Sequence, residues 1–406
     1  MAGKVFWSVA VSVMFQFFLY AQADIAALRT AAGNGDVNAQ NELGLRYYRG
    51  NGVEQDHAEA FRLFLLSAEK GNAEGQCWLG VCYYYGHGVE QDYAEAVKYF
   101  RLSADQGNVL GQFCLGICYF YGEGVEQDYA EAVKYLRLSA DQGDAEGQVR
   151  LGICYFEGKG VERNYAEAVK YFCLSAEQGN SLGQSLLGCC YYEGKGVEPN
   201  YAEAFRLFRL LADQGNAYGQ CMLGKCYYYG CGVEQNYAAA FLYFRLSAEQ
   251  GNAEGQVRLG ICYFEGKGEN YAEAVRLFRL SAEQGNDLGQ FCLGVCYFEG
   301  KGVEQNYAEA VRLFRLLADQ GNADGQYMLG VCYYNGHGVE QDYAEAVKYF
   351  RLSADQGNAD GQYALGLCYE NGFGVTKNQA EAIKYYRLSA AQEFQLAVDA
   401  LRRLGL

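Results

Sequence analysis

The sequence predicts an all-α protein: a right-handed α-solenoid of about ten helical hairpins of 36 residues, with a capping helix at each end. Three observations predict this fold. A Leu-Gly pair recurs at a fixed spacing, each spacing holds two segments with a helical pattern, and glycines mark the turns between them. The glycines of these pairs stand at 44, 80, 116, 152, 188, 224, 260, 294, 330 and 366. Every interval is 36 residues except one of 34, and a fixed period of about 20 to 50 residues is typical of repeat architectures.

The first helical segment of each repeat begins at Asn or Asp and ends at glycine. Asn72, Asn108 and Asp144 have side chains that can accept hydrogen bonds from the free amides of a first turn. Gly86 and Gly122 follow the segment, and glycine readily adopts the left-handed conformation that stops a helix. These signals predict a short helix around each Leu-Gly pair.

The second segment begins at Asp or Asn three residues before a glutamate, as in Asp92 and Glu95. This spacing is that of a capping box, in which each side chain caps the backbone amide of the other residue. The segment ends at Gln-Gly, for example at Gln106-Gly107. With no strand pattern in the sequence, each repeat is predicted to be a hairpin of two helices.

Small residues stand where the two helices of a hairpin would touch. Gly80 and Ala96 lack bulk, so the two backbones can approach closely while Leu79 and Phe100 fill the sides. One hairpin cannot bury this face alone, whereas stacked neighbours can. The 34-residue interval results from two missing residues in the turn after Gly266, and it leaves both helical patterns of that repeat intact.

The termini are predicted to lie outside the array. Residues 1–23 combine Lys4, a run without charge over residues 5–20 and the small residues Ala21-Gln22-Ala23, as an export signal does. An uncleaved membrane anchor is the alternative, although the run is short for crossing about 30 Å of hydrocarbon. Residues 24–35 are predicted to form an N-terminal capping helix, residues 36–390 the repeats, and residues 391–406 a C-terminal capping helix. We therefore expect an exported protein, periplasmic or secreted, that has no membrane contact after cleavage.

Charge disfavours one large class of partner. The formal net charge is −16, and no run of Lys or Arg is longer than Arg402-Arg403. A phosphate backbone would be repelled over most of such a surface. Nucleic acid is therefore excluded from the expected partners.

The cysteines are expected to pack rather than react. Nine of the 16 stand two residues after the Leu-Gly glycine, and they border the leucine face of a helical wheel: Cys82, Cys118, Cys154, Cys190, Cys226, Cys262, Cys296, Cys332 and Cys368. Equivalent atoms of stacked helices lie about 8 to 10 Å apart, beyond the roughly 7 Å between Cα atoms that a disulfide allows. Zinc needs four converging ligands, and only three histidines are present. No metal site and no cofactor is predicted.

No catalytic residue is predicted either. Ser67 and Lys70 match the Ser-x-x-Lys pattern of acyl-serine enzymes, but neither companion motif appears and other repeats read SADQ or SAEQ at this place. Chance explains the match better than chemistry does.

The candidate binding site consists of the helix positions that vary from repeat to repeat, because most other positions of the repeat stay the same. Counted from the Leu-Gly glycine, the first helix varies most at −6, −3, −2 and +5, which a helical wheel places within about 100° of one another, opposite the leucine face. At −3 and −2 the varying residues are rich in aromatic, Met and Arg side chains, which protein interfaces favour. Drift of solvent-facing positions, or packing within an inner wall, is the alternative. The residues predicted to bind a partner are Trp78, Phe113, Arg150, Met222, Arg258, Phe291, Tyr327 and Met328.

The repeated pattern LGxxYxxGxGVxxDYxEA, followed by SAxQGN, resembles the SEL-one-like repeat, a relative of the tetratricopeptide repeat. The resemblance covers about ten units, from Asp36 to near the C-terminus. It implies a superhelix with a concave groove that serves as an adaptor or scaffold for other proteins. It also implies that the first helices line the groove, which would place the predicted binding residues there.

The resemblance leaves two alternative functions open. Some secreted, cysteine-rich members of the family are described as penicillin-binding or β-lactamase-like, and they join the end of one second helix to the start of the next first helix by a disulfide. Here those two places hold Ala and Gln, for example Ala68 with Gln76. The sequence therefore predicts a non-enzymatic adaptor that binds a protein or peptide, with a hydrolase of that kind or a structural cell-envelope protein as alternatives.

Overall fold

The computed structural model describes residues 25–266 and 270–406, so the predicted export signal at residues 1–23 lies outside the described residues. Within these two ranges all regular secondary structure is helical. The chain divides into two compact units, the first ending at Leu207 and the second beginning at Phe208. No described helix is both long and apolar enough to cross a membrane.

Helices follow one another in pairs through both units. The first unit contains α1 (25–33), α2 (Val37–Arg49), α3 (His57–Glu69), α4 (Ala73–Tyr85), α5 (Tyr93–Asp105), α6 (Val109–Tyr121), α7 (Tyr129–Asp141), α8 (Ala145–Glu157), α9 (Tyr165–Glu177) and α10 (Ser181–Glu193). Helix α11 (Tyr201–Asp213) spans the boundary between the units. The second unit contains α12 (Ala217–Tyr229), α13 (Tyr237–Glu249), α14 (Ala253–Glu265), α15 (Tyr271–Glu283), α16 (Asp287–Glu299), α17 (Tyr307–Asp319), α18 (Ala323–Asn335), α19 (Tyr343–Asp355), α20 (Ala359–Asn371), α21 (Gln379–Ala390) and α22 (Gln395–Arg403).

The predicted repeat of helical hairpins is confirmed. The even-numbered helices α2 to α20 are the first helices of the ten repeats, and the odd-numbered helices α3 to α21 are the second helices. The repeat shortened by two residues keeps both of its 13-residue helices, α14 and α15. Both capping helices are present. Ala32 of α1 is buried against repeat one, and α22 buries Ala397 and Ala400 while exposing Asp399, Arg402 and Arg403.

The predicted helix ends are confirmed, with one correction. The Asn72 side chain accepts from the Gly75 amide, and Gly86 ends α4 with a left-handed φ of 72°. Asp92 likewise caps α5 by accepting from the amide of Glu95. The reciprocal half of the predicted capping box is wrong: the Glu95 carboxylate binds the ammonium group of Lys98 at 2.9 Å. Because the Asp92 amide already donates to the carbonyl of Tyr83, it needs no side-chain cap.

Each hairpin is closed by the contact that its small residues predict. A Cβ added at Gly80 would lie 2.7 Å from the ring of Phe100, which is 2% exposed. Two polar contacts hold the other end of the same hairpin. The Ser103 hydroxyl donates to the carbonyl of Ala73 at 2.6 Å, and the Gln106 amide donates to the side chain of Gln76 at 2.7 Å. Ser103 and Gln76 are buried, so losing the partner of either one would leave a buried polar group unsatisfied, at a cost of about 1 to 3 kcal/mol.

Contacts between repeats run through the turn after each first helix. Lys159, the middle residue of a Gly-X-Gly turn, has its ammonium group 5.2 Å from the centre of the Phe120 ring and 5.6 Å from that of Tyr129 in the preceding repeat. Where tyrosine replaces the phenylalanine, as at Tyr84, its hydroxyl donates to Glu123 in the turn. In these two turns the turn residue suits the ring of the preceding repeat: the Lys159 ammonium group lies over Phe120, and the Glu123 carboxylate accepts from Tyr84.

One of these turn contacts predicts a dependence of stability on pH. The rings of His57 and His87 are stacked with centroids 4.5 Å apart, and the Tyr48 hydroxyl lies 2.9 Å from Nδ1 of His87. Burial, and secondarily the neighbouring His57, lower the pKa of His87 below its ordinary 6.5. A histidine with a lowered folded-state pKa contributes stability above its unfolded pKa and loses it as the pH falls. Amide exchange protection in α3 and α4 should therefore be constant above about pH 7 and decline as the pH is lowered through 6.5.

The matched control is His87→Gln, which retains a polar side chain that cannot be protonated in this range. Hydrogen exchange followed by mass spectrometry at pH values from 5 to 8, corrected for intrinsic exchange, gives the protection of each helix. The variant should lose the decline in α3 and α4. An equal decline in the variant would show that His87 is not its source.

Candidate functional site

All eight residues predicted to bind a partner lie on first helices, and none of them is fully exposed. Met222 is buried at 6% exposure, and the remaining seven are partly buried: Trp78, Phe113, Arg150, Arg258, Phe291, Tyr327 and Met328. Trp78 illustrates the arrangement, because its ring stacks 5.9 Å from the ring of Phe64 and lies 5.5 Å from that of Tyr48 in the preceding repeat.

Consecutive first helices contact each other through two of the variable positions. The residue at −3 in one helix packs in the same apolar cluster as the residue at −2 in the next. The pairs are Cys77 with Cys114, Val149 with Leu186, Val257 with Cys292, Phe291 with Met328, and Tyr327 with Ala364. This step from −3 to −2 is a packing contact between repeats.

Position −3 is buried in several repeats, although a helical wheel places it opposite the leucine face. Cys77, Val149, Cys221 and Val257 are each exposed by 1% or less. A helical wheel describes one helix alone. Once the repeats stack, the next first helix covers this side of the helix. Large side chains at −3 and −2 are partly buried for the same reason.

Phe113 and Phe291 mark two equivalent apolar cavities, one in each unit. The first has a volume of about 90 Å³ and the second about 220 Å³. Each lies between a first helix and the next, over the phenylalanine of the intervening second helix. The first cavity is lined by Val81, Tyr84, Tyr85, Phe100, Phe113, Cys114 and Ile117. The second is lined by Ile261, Phe264, Glu265, Phe278, Phe291, Cys292 and Val295.

The two cavities use the same seven repeat positions and differ mainly at one wall. Tyr85 stands at the rim of the first and is 59% exposed, whereas an exposed glutamate, Glu265, holds that place in the second. The Glu265 carboxylate accepts a hydrogen bond from the Tyr228 hydroxyl at 2.9 Å. The cavities are therefore similar apolar sites with rims of different charge.

Sequence reasoning selected Phe113 and Phe291 but missed the other walls. The floor residues Phe100 and Phe278 come from second helices and look like ordinary core residues in the sequence. The sequence does contain a sign that the two sites are alike. The pair Phe-Cys occurs at 113–114 and again at 291–292, in otherwise similar helices.

Arg150 and Arg258 occupy copies of one stretch, AEGQVRLGICYFE, yet their surroundings differ. Arg258 Nε lies 2.8 Å from the Glu254 carboxylate, and its Nη1 donates to the Tyr229 hydroxyl at 3.3 Å. Arg150 Nε is buried without a hydrogen-bond partner in the structure, because Glu146 instead accepts from Asn180 at 2.8 Å. Arg258 is thus paired with a carboxylate, whereas Arg150 Nε is buried without a partner.

The repeated cysteines lie where the sequence predicts. Eight of the nine are buried, Cys262 being the partly exposed member, and all 16 cysteines of the chain are thiols in the structure. Burial raises the pKa of Cys82 to about 12, so this thiol stays protonated at neutral pH. In the described ranges no three His, Cys, Asp or Glu side chains are grouped as a metal site would require.

Tandem hairpins closed at a glycine, with packed first helices, define a helical-repeat scaffold. The family model for the Sel1 repeat matches ten consecutive segments: 37–72, 73–108, 109–144, 145–180, 181–216, 217–252, 253–286, 288–322, 323–358 and 359–394. The chain belongs to the Sel1-repeat family, whose members are helical scaffolds that commonly mediate protein–protein interaction.

One solved structure agrees with this assignment. The chain is similar to c5321, a protective antigen of uropathogenic Escherichia coli with an SLR fold, at 34% identity and a TM-score of 0.60, covering 94% of this chain and 90% of that one. A Sel1 repeat protein from Oxalobacter formigenes matches at 24% identity and a TM-score of 0.44, covering 95% and 93%. A putative sel1 repeat protein from Klebsiella pneumoniae matches at 20% identity and 0.38, covering 50% and 99%. Comparison with curated proteins finds no match.

Proposed function

We propose that this protein is a non-enzymatic adaptor that binds a protein or peptide partner along its first helices, and that the cavity in each unit accepts one apolar side chain of a bound segment. The observation that carries the proposal is the recurrence of one cavity, built from the same seven repeat positions, in both units. Apolar pockets with aromatic walls are typical anchors for partner side chains. The second cavity, at about 220 Å³, has room for a larger side chain than the first.

Arg150 adds a polar component to the proposed site. Arg150 is partly exposed and Glu146 is engaged by Asn180, so a carboxylate of the bound segment would form a charge-assisted hydrogen bond with the Arg150 guanidinium. Arg258 is already paired with Glu254 and contributes less. The favoured ligand is therefore an apolar segment that also carries a carboxylate.

The surroundings of the nucleophile candidates favour binding over catalysis. Ser67 is 0% exposed, and its hydroxyl donates to the carbonyl of Val37 at 3.4 Å. Lys70 directs its ammonium group to the carbonyl of Gly35 at 2.6 Å. An acyl-serine mechanism needs an accessible serine activated by a neighbouring base, whereas these two side chains serve structural hydrogen bonds.

The test is the effect of cavity mutations on a defined ligand. Peptides selected by display on the folded protein would be measured by fluorescence anisotropy against Phe113→Ala and Phe291→Ala. Truncating an interface anchor costs about 1 to 2 kcal/mol or more, so each variant should weaken binding by about 5- to 30-fold. Leu352→Ala is the matched control, because Leu352 is 44% exposed on a second helix, away from both cavities.

Circular dichroism must show unchanged helicity for each variant. Loss of affinity in at least one cavity variant, with the control unaffected, would support the proposal. Peptides that bind the two variants as tightly as the parent protein would overturn it.

We also propose that the protein acts after export, on the basis of the sequence of residues 1–23. The intact mass of protein isolated from the native cell decides this point. A mature chain beginning at Asp24 is expected, and a chain that retains residues 1–23 in a membrane fraction would favour the anchored alternative.

A further inference from the structure

Two cysteines from consecutive repeats meet at the packing step between first helices. Cys77 is at position −3 of α4 and Cys114 is at position −2 of α6. Cys77 is 1% exposed and belongs to an apolar cluster against which Cys114 packs. Among the steps observed within the two units, this is the one that places a thiol on both sides.

We propose that Cys77 and Cys114 form a redox-sensitive disulfide that links the second and third repeats. The bridge would join two first helices directly, through side chains that already pack together. Cys114 is partly buried and lines the first cavity, which is the side from which a disulfide reagent would approach it.

The same step in the second unit supplies an internal control. There Val257 takes the place of Cys77 and Cys292 the place of Cys114, in a cluster and a cavity of the same construction. Cys292 therefore has a comparable position without a thiol across the step. A disulfide formed by Cys292 as well would indicate that thiols at this position react generally, and would not support a specific pairing of Cys77 with Cys114.

The oxidant is a low-molecular-weight disulfide such as oxidised glutathione. The Cys114 thiolate attacks one sulfur of the reagent, which forms a mixed disulfide and releases one thiolate. Cys77 then attacks the Cys114 sulfur, the protein disulfide forms, and the second thiolate leaves. The two protons of the protein thiols pass to the two leaving groups, so two protein thiols are oxidised and one reagent disulfide becomes two thiols.

The environment of Cys114 sets the rate of this exchange. The Cys77 thiol and burial raise the pKa of Cys114 well above the ordinary value for a cysteine. Only the thiolate reacts, and its fraction rises about tenfold for each pH unit below the pKa. Exchange in the folded protein should accordingly be slow at pH 7 and about 10-fold faster at pH 8.

The experiment uses the full folded chain, incubated with oxidised glutathione at pH 8.5, quenched with acid and treated with N-ethylmaleimide. Chymotrypsin cleaves after Trp78 and Leu79 and after Leu115, which separates Cys77 from Cys82 and Cys114 from Cys118. Mass spectrometry without reduction should show one linked peptide pair containing Cys77 and Cys114, which dithiothreitol separates. Cys292 should carry glutathione or maleimide and no bridge.

The result obtained with the unsubstituted protein decides whether the proposal holds. Finding Cys77 and Cys114 both alkylated, or Cys114 bridged to Cys118 instead, would overturn it. Cys77→Val, which copies the Val257 step, should convert the linked pair into Cys114 carrying glutathione or maleimide. Because Cys114 lines only the first cavity, the bridge would also be expected to alter binding there and not at the second cavity, a consequence that rests on the proposed function.

Discussion

Replacing Gly124 by alanine is expected to destabilise the second and third repeats strongly. Gly124 closes a Gly-X-Gly turn with a left-handed φ of 73°, and an added Cβ would overlap the carbonyl oxygen of Tyr93 in the preceding repeat. A left-handed non-glycine residue costs about 1 to 3 kcal/mol, and a forced backbone shift costs a similar amount. The free energy of unfolding should fall by about 2 to 6 kcal/mol in total.

Gly107→Ala isolates the conformational part of this cost. Gly107 has a φ of +83°, but an added Cβ would meet no other atom within 4 Å. Both variants place an alanine in a left-handed backbone conformation that favours glycine. Only Gly124→Ala also pushes one repeat away from another. Thermal unfolding by circular dichroism gives the size of each effect, and hydrogen exchange shows where protection is lost.

The exchange measurement matters because long repeat arrays lose stability region by region. Gly124→Ala should expose the amides of α5 and α6 while the second unit keeps its protection. Equal losses in the two variants would mean that the close approach between Gly124 and Tyr93 contributes nothing.

Phe172→Ala is expected to cost about 3 to 5 kcal/mol, the range for removing a buried phenylalanine from a packed core. Phe172 is 1% exposed and fills the space over Gly152, where an added Cβ would lie 2.6 Å from its ring. The glycine cannot fill the resulting cavity, because it has no side chain. The thermal midpoint should drop, and α8 and α9 should lose exchange protection first.

The chain itself supplies the control for this change. Repeat three has Leu136 at the equivalent position, fully buried over Gly116. Phe172→Leu therefore copies an arrangement that the protein already uses, and it should cost about 1.5 kcal/mol or less. A leucine variant as unstable as the alanine variant would contradict the assignment of the loss to cavity volume.

The helices and their ends were predictable because their causes are local. The side chains of Asn72 and Asp92 cap amides two or three residues away, and Gly86 ends its helix through its own φ. Contacts within a hairpin were also predictable, since Gly80 and Ala96 leave space that Phe100 fills. Only the second hydrogen bond of the capping box failed, because Tyr83 supplied a competing carbonyl.

The candidate site was only partly predictable. Phe113 and Phe291 were found as varying residues, but their cavities depend on floor and rim residues from other helices. The burial of Cys77 and Val257 also depends on the next first helix, which a wheel of one helix does not include.

By itself, the sequence determined the period, the two helices of each repeat, their caps and the glycine contact within each hairpin. The tertiary structure decided which variable side chains are covered, where the two cavities open, and that Cys77 meets Cys114. It also decided that Arg258 is paired while Arg150 Nε is not, although both arginines occupy the same 13-residue helix sequence. The physical reason is range: caps and turns act over a few residues, whereas the surroundings of a side chain come from neighbouring repeats.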